Sequence, residues 1–245
     1  MAPIKKVLID RAGRRFYIRN ADEDYHCQHG LVKKEDIGKR AGSHIQTNTG
    51  VALTIFPSSF CDRYAKIKRG PQIIPRKDVG AIIAETGIGK DSVCFEAGSG
   101  SGALGIALAN VVKSVVSYEV REDFHKIAKG NAEDMGLKNI THELKDIYEG
   151  IDEKNVDLLV LDLPEPWRAV QHAAKAIKPG GFFVSYSPTT PQVSDFVQAV
   201  EESGDFIILK TIELIEREWE VDGRKVRPRS QAIGHSGFMT FCRRA

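Results

Sequence analysis

"SVCFEAGSGSGALGIALANVVKSVVSYEV", residues 92–120, reads as strand, glycine turn, helix and second strand in one run. "SVCFEAG" is short and mostly apolar, as a buried strand is. Gly98, Gly100 and Gly102 then fall at GxGxG spacing, with Glu96 two residues ahead, and "ALGIALANVV" follows as an apolar helix. Glycines let the backbone turn tightly and let a ligand approach with no Cβ in the way. The spacing departs from the GxGxxG of dinucleotide folds, and no Lys-Ser/Thr follows it, which disfavours a P-loop NTPase. A purely structural strand-to-helix turn has the same appearance. The second strand, "SVVSYEV", ends in Glu119, seventeen residues after Gly102. An acid there can accept both ribose hydroxyls of a nucleoside; read alone, it is a solvated acid at a strand end. Turn and acid together point to a nucleoside site.

The alternation continues on both sides. "VGAIIAETG" ahead of the turn is helical and stops at Gly87. After it come "REDFHKIAKGNAEDMG" as a helix ending at Gly136, "NITHEL" and "VDLLVLD" as strands, and "WRAVQHAAKAI" as a helix. "GFFVSYS" is a strand and "TPQVSDFVQAVEESG" a helix. "FIILKTIELIEREWEV" reads as one long strand, with "GFMTFCRR" as its candidate antiparallel partner. Strands alternating with helices predict βαβ crossovers and a parallel sheet covered on both faces. Residues 1–68 differ. "KVLID", "RRFYIR", "YHC", "VALTIF" and "RYAKI" are strand-like runs between Gly, Asn and Asp turns. They predict a small antiparallel β domain ahead of an α/β domain over 69–245.

Ligands of open α/β sheets sit outside the carboxyl ends of the strands. The chain places one ligand-ready feature after each of four consecutive strands: the glycine turn, Glu119, Asp146 in "ELKDIYEG", and Asp162 in "VDLLVLDLPEPWRAV". Asp146 can accept a hydrogen bond from an adenine amino group; alone it is one loop Asp among many. Pro164 fixes φ and Pro166 biases Glu165 toward extended geometry, so the loop after Asp162 is expected to be stiff. Trp167 can stack on a base, or open the following helix and pack in the core. Tyr186, after the next strand, is a candidate wall for a base or a core residue.

"EAGSGSG" with its strand-end acid resembles the first motif of the class I S-adenosylmethionine-dependent methyltransferases. "DLPEPW", "RGPQII" at 69–74, "YSPTTPQV" at 186–193 and "GHSGFMTF" at 234–241 are similar to the tRNA adenine-N1 methyltransferases of the TrmI type, over nearly the whole chain. The resemblance implies a Rossmann-like seven-stranded sheet, mostly parallel with an antiparallel C-terminal hairpin. It implies S-adenosyl-L-methionine as cofactor, held by Gln72, Gly98, Ser99, Gly100, Ser101, Gly102, Ala103, Leu104, Glu119, Asp146, Ile147 and Asp162. It implies methyl transfer to N1 of adenine in the tRNA T-loop, at position 58, with 57 added in archaeal members. It also implies a homotetramer with tRNA crossing subunits. N1 is already a lone-pair nucleophile, so no base is needed to expose electrons. Asp162 is then the catalytic carboxylate, stabilising charge that develops on the base and orienting it through its amino group; the bland alternative is a strand end or helix cap. Trp167, Tyr186, Arg224, Arg227, Arg229 and His235 are the candidate substrate-side residues, His235 being otherwise a local hydrogen-bonder. One departure stands out. The family's Tyr-Pro-Lys-Asp is Pro75-Arg76-Lys77-Asp78 here, so the tyrosine that faces the active site is missing from that stretch.

Composition bounds the rest. The 245 residues are 42% hydrophobic and 28% charged, an ordinary globular balance, with net charge +2. No apolar run reaches the length of a membrane helix and the first residues lack the apolar core of a signal peptide, so a cytoplasmic protein is expected. Cys27, Cys61, Cys94 and Cys242 have no CxxC spacing, which argues against zinc and for free thiols. "KIKRG" at 66–70 and "GRKVRPR" near the C-terminus are basic clusters without interleaved acids, and so read as locally unneutralised. They are candidate phosphate contacts or solvated loops. Two other readings share the fold: a methyltransferase for a protein or small molecule, and a catalytically idle RNA-binding subunit. An idle subunit would be expected to lose the glycine turn or Glu119, and both are present.

Overall fold

The computed structural model describes residues 3–70, 72–231 and 233–245; Pro71, within "RGPQII", lies outside them. The chain forms two compact units, Met1–Lys68 with Glu133–Gly136, and Arg69–Ala132 with Leu137–Ala245.

In the first unit, β1 (Lys6–Asp10), β2 (Arg15–Ile18), β5 (His44–Gln46) and β6 (Ala52–Pro57) make an antiparallel sheet in the order β2-β1-β6-β5. A hairpin of β3 (Tyr25–Cys27) and β4 (Gly30–Val32) and the turn-length helix α1 (Lys34–Ile37) accompany it. Leu8, Ile18, Val32, Ile37, Ile45, Leu53 and Ile55 form its core. "RYAKI" is not a strand. Helix α2 (Phe60–Tyr64) runs through its start, nucleated by a capping box in which Ser59 and Asp62 satisfy each other's backbone N–H groups. Local capping chemistry overrides the apparent alternation of the side chains.

The second unit opens with α3 (Arg76–Thr86), which ends at Gly87 in a left-handed conformation. Then follow β7 (Val93–Ala97), α4 (Ala103–Ala109), β8 (Ser114–Glu119), α5 (Glu122–Asp134), β9 (Ile140–Leu144) and β10 (Val156–Leu161). After a 3₁₀ turn over Pro166–Ala169 come α6 (Val170–Ala176), β11 (Ile177–Ser187), α7 (Thr190–Ser203) and β12 (Phe206–Glu213). The hairpin β13 (Trp219–Asp222) and β14 (Lys225–Pro228) precedes β15 (Phe238–Arg244). Seven strands form one sheet in the order β12-β15-β11-β10-β7-β8-β9. β15 is antiparallel to both β11 and β12, and the remaining pairs are parallel. Two apolar layers sandwich it. Phe95, Tyr118, Leu159, Leu161, Phe183 and Phe196 lie on one face. Ile74, Val79, Leu104, Leu158, Val160 and Val184 lie on the other. "VDLLVL" is apolar throughout because both of its faces are covered.

"FIILKTIELIEREWEV" is two strands. β12 stops at Glu213, and β13 leaves the sheet to pair with β14, Asp222 opposite Lys225 across a turn at Gly223 (φ 56°). That turn makes a hairpin of residues that otherwise read as an extension of β12. "WRAVQHAAKAI" likewise begins as the 3₁₀ turn, and Ile177 already belongs to β11, paired with Val156. Among the described residues, no helix is long and apolar enough to cross a membrane, and no cluster of His, Cys, Asp or Glu could hold a metal ion. All four cysteines are free.

Candidate active site

The sheet order reverses between β7 and β10, and the carboxyl ends of β7, β8, β9 and β10 surround the crevice that this reversal opens. β7 runs straight into the glycine turn. Gly98 has φ +88°, and a Cβ there would stand 2.1 Å from the Asp162 carbonyl oxygen. The Asp162 amide donates to the Ala97 carbonyl at 3.0 Å, so the turn and the Asp162 loop are locked backbone to backbone.

Two adjoining lobes occupy the crevice. The first, about 350 Å³, is lined by Gln72, Ile74, Gly98, Ser99, Gly100, Ser101, Ala103, Leu104, Glu119 and Asp162, among others. Gly102 stands at the N-cap of α4 with φ 75°. The second lobe, about 250 Å³, is bounded by Gly98, Glu119, Asp146, Ile147, Pro164 and Glu165. Gly98, Glu119, Val120, Leu163 and Pro164 border both. The whole predicted cofactor set, Gly102 at its margin, therefore gathers at one crevice.

Two of the acids there are fixed by backbone donors. Glu119 Oε2 accepts the Gly100 amide at 2.9 Å, and Oε1 accepts the Val120 and Arg121 amides at 3.0 Å each. Asp146 Oδ1 accepts the Tyr148 amide at 2.9 Å and caps the 3₁₀ turn Ile147–Glu149. The half-buried Asp162 lies beside the glycine turn, and burial pushes its carboxyl up to about 7. Beneath the turn, burial pushes Glu96 up to about 8 although its Oε1 accepts the Ser117 hydroxyl at 2.6 Å. Ser117 also meets the Ser99 hydroxyl, which donates to the Tyr118 carbonyl at 3.0 Å.

The substrate-side candidates line neither lobe. Trp167 is half-buried on the 3₁₀ turn that packs against α7. Tyr186 is buried, its hydroxyl donating to Asp78 at 3.1 Å. His235 is a local hydrogen-bonder. Its Nδ1 faces Glu213 at 2.5 Å and its Nε2 faces the Pro188 carbonyl at 2.8 Å, and the hydrogen bond to Glu213 holds its pKa up. The C-terminal basic cluster, expected to lack local acids, is in fact partly paired, with two carboxylates against its four cations. The register sets Glu220 opposite Arg227, and Glu220 pairs with both Lys225 (2.7 Å) and Arg227 (2.9 Å), while Arg229 pairs with Glu218 at 3.2 Å. The acids lie on the facing strand, where a linear reading does not look. Arg224 sits at the hairpin turn. Sequence reasoning also misses Phe124, which borders the first lobe under the Arg121 guanidinium (3.8 Å to the ring centre), and Tyr148, which borders the second. Neither lies in a motif; only their places in α5 and the 3₁₀ turn bring them there.

Fold and crevice define a Rossmann-like methyltransferase. The model of the tRNA methyltransferase complex GCD14 subunit family matches residues 65–235, and the chain belongs to that family. It is 34% identical to a tRNA (adenine(57)-N(1)/adenine(58)-N(1))-methyltransferase, TrmI, of Methanocaldococcus jannaschii, over 97% of this chain and 94% of that one. It is 31% identical to the tRNA (adenine(58)-N(1))-methyltransferase TrmI of Thermus thermophilus, over 97% and 96%. A crystal structure of a SAM-dependent O-methyltransferase from Thermotoga maritima superposes with a TM-score of 0.90 at 30% identity, covering 100% and 94%. That of the tRNA (m1A58) methyltransferase TrmI from Aquifex aeolicus shares the fold, with a TM-score of 0.85 at 23% identity, covering 98% and 96%.

Proposed function

We infer that this chain transfers a methyl group from S-adenosyl-L-methionine to N1 of adenine in the T-loop of tRNA, at position 58, with 57 as a second acceptor to be tested. One observation carries the reading: Asp162, ending the strand that opens "DLPEPW", shares a crevice with the glycine turn and Glu119. The donor set suits the cofactor. Glu119 and Asp146 offer carboxylate acceptors for a nucleoside, Ile147 and Leu104 offer apolar surface, and acids favour a sulfonium cation. When bound, the cofactor supplies an electrophilic methyl group. Gly98, Gly100 and Glu119 would hold it beside Asp162. The Asp162 carboxylate accepts a hydrogen bond from the adenine amino group, orients N1, and stabilises the positive charge that the ring acquires. The stiff Pro164–Pro166 loop keeps that carboxylate in place without ordering on binding.

Charge distribution supports an RNA acceptor. Residues 1–68 hold thirteen Lys and Arg against seven Asp and Glu, whereas the remainder holds twenty-two against twenty-six. Extruding an adenine from a folded tRNA costs a few kcal/mol, which phosphate contacts offset. A homo-oligomer is part of the same reading, supported by the exposed Ile207, Leu209, Ile215, Trp219, Val221 and Val226 on or beside β12 and its hairpin.

The experiment is incubation with labelled S-adenosylmethionine and an unmodified tRNA transcript, followed by nucleoside analysis. Label in 1-methyladenosine is expected. Label in a small hydroxyl acceptor or in protein, with none in RNA, would overturn the reading. Asp162→Ala is expected to lose about a hundred- to a thousandfold in turnover while binding the cofactor.

A further inference from the structure

A buried polar network stands on the same face of the sheet as Asp162. β10 and β11 run parallel with Leu161 opposite Ser185, so the next pair, Asp162 and Tyr186, projects to one face. Tyr186 packs there with Val160, Val184, Ile74 and Val79 and is 5% exposed. Its hydroxyl donates to Oδ2 of Asp78, a residue with no solvent exposure. The same Oδ2 accepts the Ser236 hydroxyl at 2.9 Å, and Oδ1 accepts the Lys77 ammonium at 2.7 Å. Lys77 also donates to Ser236 Oγ at 2.7 Å and to the Leu214 carbonyl at 2.8 Å, which uses all three of its protons. Gly237 lies against the tyrosine ring, where a Cβ would stand 2.5 Å from Cζ.

Core packing alone does not require this. A phenylalanine at 186 would fill nearly the same volume without a buried carboxylate and ammonium, whose desolvation is costly unless every bond is made. Here every bond is made, and the hydroxyl they hold belongs to the residue beside the reacting carboxylate. Lys77 and Asp78 also directly follow Pro75-Arg76, the stretch from which the family's tyrosine is missing.

We propose that Asp78, balanced by Lys77 and Ser236, is a positioning residue: it fixes the buried Tyr186 ring behind Asp162, and through that packing sets where the Asp162 carboxylate stands against the acceptor base. This deepens the methyltransferase reading above and rests on it. Burial, with the nearby Asp78 and Asp162 carboxylates, raises the Tyr186 pKa, so the hydroxyl stays protonated and remains a donor.

The test compares wild type, Asp78→Asn, Tyr186→Phe and the double variant in single-turnover methylation of an unmodified tRNA transcript, with S-adenosylmethionine affinity measured by calorimetry. Each single variant is expected to transfer about ten- to a hundredfold more slowly, because a small misplacement of a positioned group has that effect. Cofactor Kd should stay within about twofold of wild type, and the double variant should lose no more than the worse single, since both act through one hydrogen bond. Asp78→Asn strands the Lys77 ammonium and risks the fold; Tyr186→Phe keeps the ion pair and remains decisive. Tyr186→Phe at the wild-type rate, or additive losses, would overturn the proposal alone. A wild-type chain that forms no 1-methyladenosine would instead overturn the acceptor assignment, and the proposal with it.

Discussion

Asp162 illustrates how function and stability pull apart at a single residue. Its folded pKa, about 7, lies above the value of 3.8 for the free side chain. A carboxyl raised in this way contributes stability that is full below about pH 4 and is lost as pH rises through about 7. The ionised form that the proposed methyl transfer uses is therefore the form that the fold tolerates least. The transfer rate is expected to rise with pH to a plateau above about 7, while Asp162→Asn gives a low, flat profile but a higher Tm than wild type at about pH 8. Matched pH–rate and melting series check both. His142 on β9 works in the opposite sense. Neither of its ring nitrogens has a partner, and burial, then the neighbouring His125 and Lys129, push it down to about 4. The unfolded chain takes up this proton first, so stability falls as pH drops from about 6.5 toward 4. His142→Phe should remove about 2 kcal/mol of the acid destabilisation between about pH 7.5 and pH 5, as read from urea titrations at the two pH values.

Among the elements, the junction between the glycine turn and the end of β10 has the least room to change. Gly98→Ala meets both a left-handed backbone and the Asp162 carbonyl. It is expected to cost about 2–4 kcal/mol and to abolish cofactor binding, which denaturant titration and calorimetry would separate. The βαβ alternation was legible because buried parallel strands are apolar runs between amphipathic helices, and the crevice was legible because Gly98, Glu119, Asp146 and Asp162 each stand at or within two residues of the carboxyl end of a strand. What escaped depends on which strands and side chains meet only after folding. The Glu220–Arg227 opposition exists only once β13 folds onto β14, and Asp78 meets Tyr186 across 108 positions of chain. "RYAKI" went wrong for a local reason: the cap at Ser59 lies just ahead of the run being read.

For the whole molecule, the exposed apolar side chains of β12 and its hairpin set an expectation for assembly. Light scattering should find more than one chain per particle, and Trp219→Glu, at a residue 53% exposed, should shift the population toward single chains without unfolding them. The logarithm of the tRNA affinity should fall linearly with the logarithm of salt concentration, as phosphate contacts require. The sheet order carries a consequence for synthesis. β15 lies between β11 and β12, yet it is built from residues 238–244. On the ribosome, β11 and β12 are therefore made before the strand that joins them, each with a bare hydrogen-bonding edge. A nascent chain halted before Phe238 is in effect an unzipped sheet, and it should depend on chaperones to stay out of aggregates until the last strand slots in.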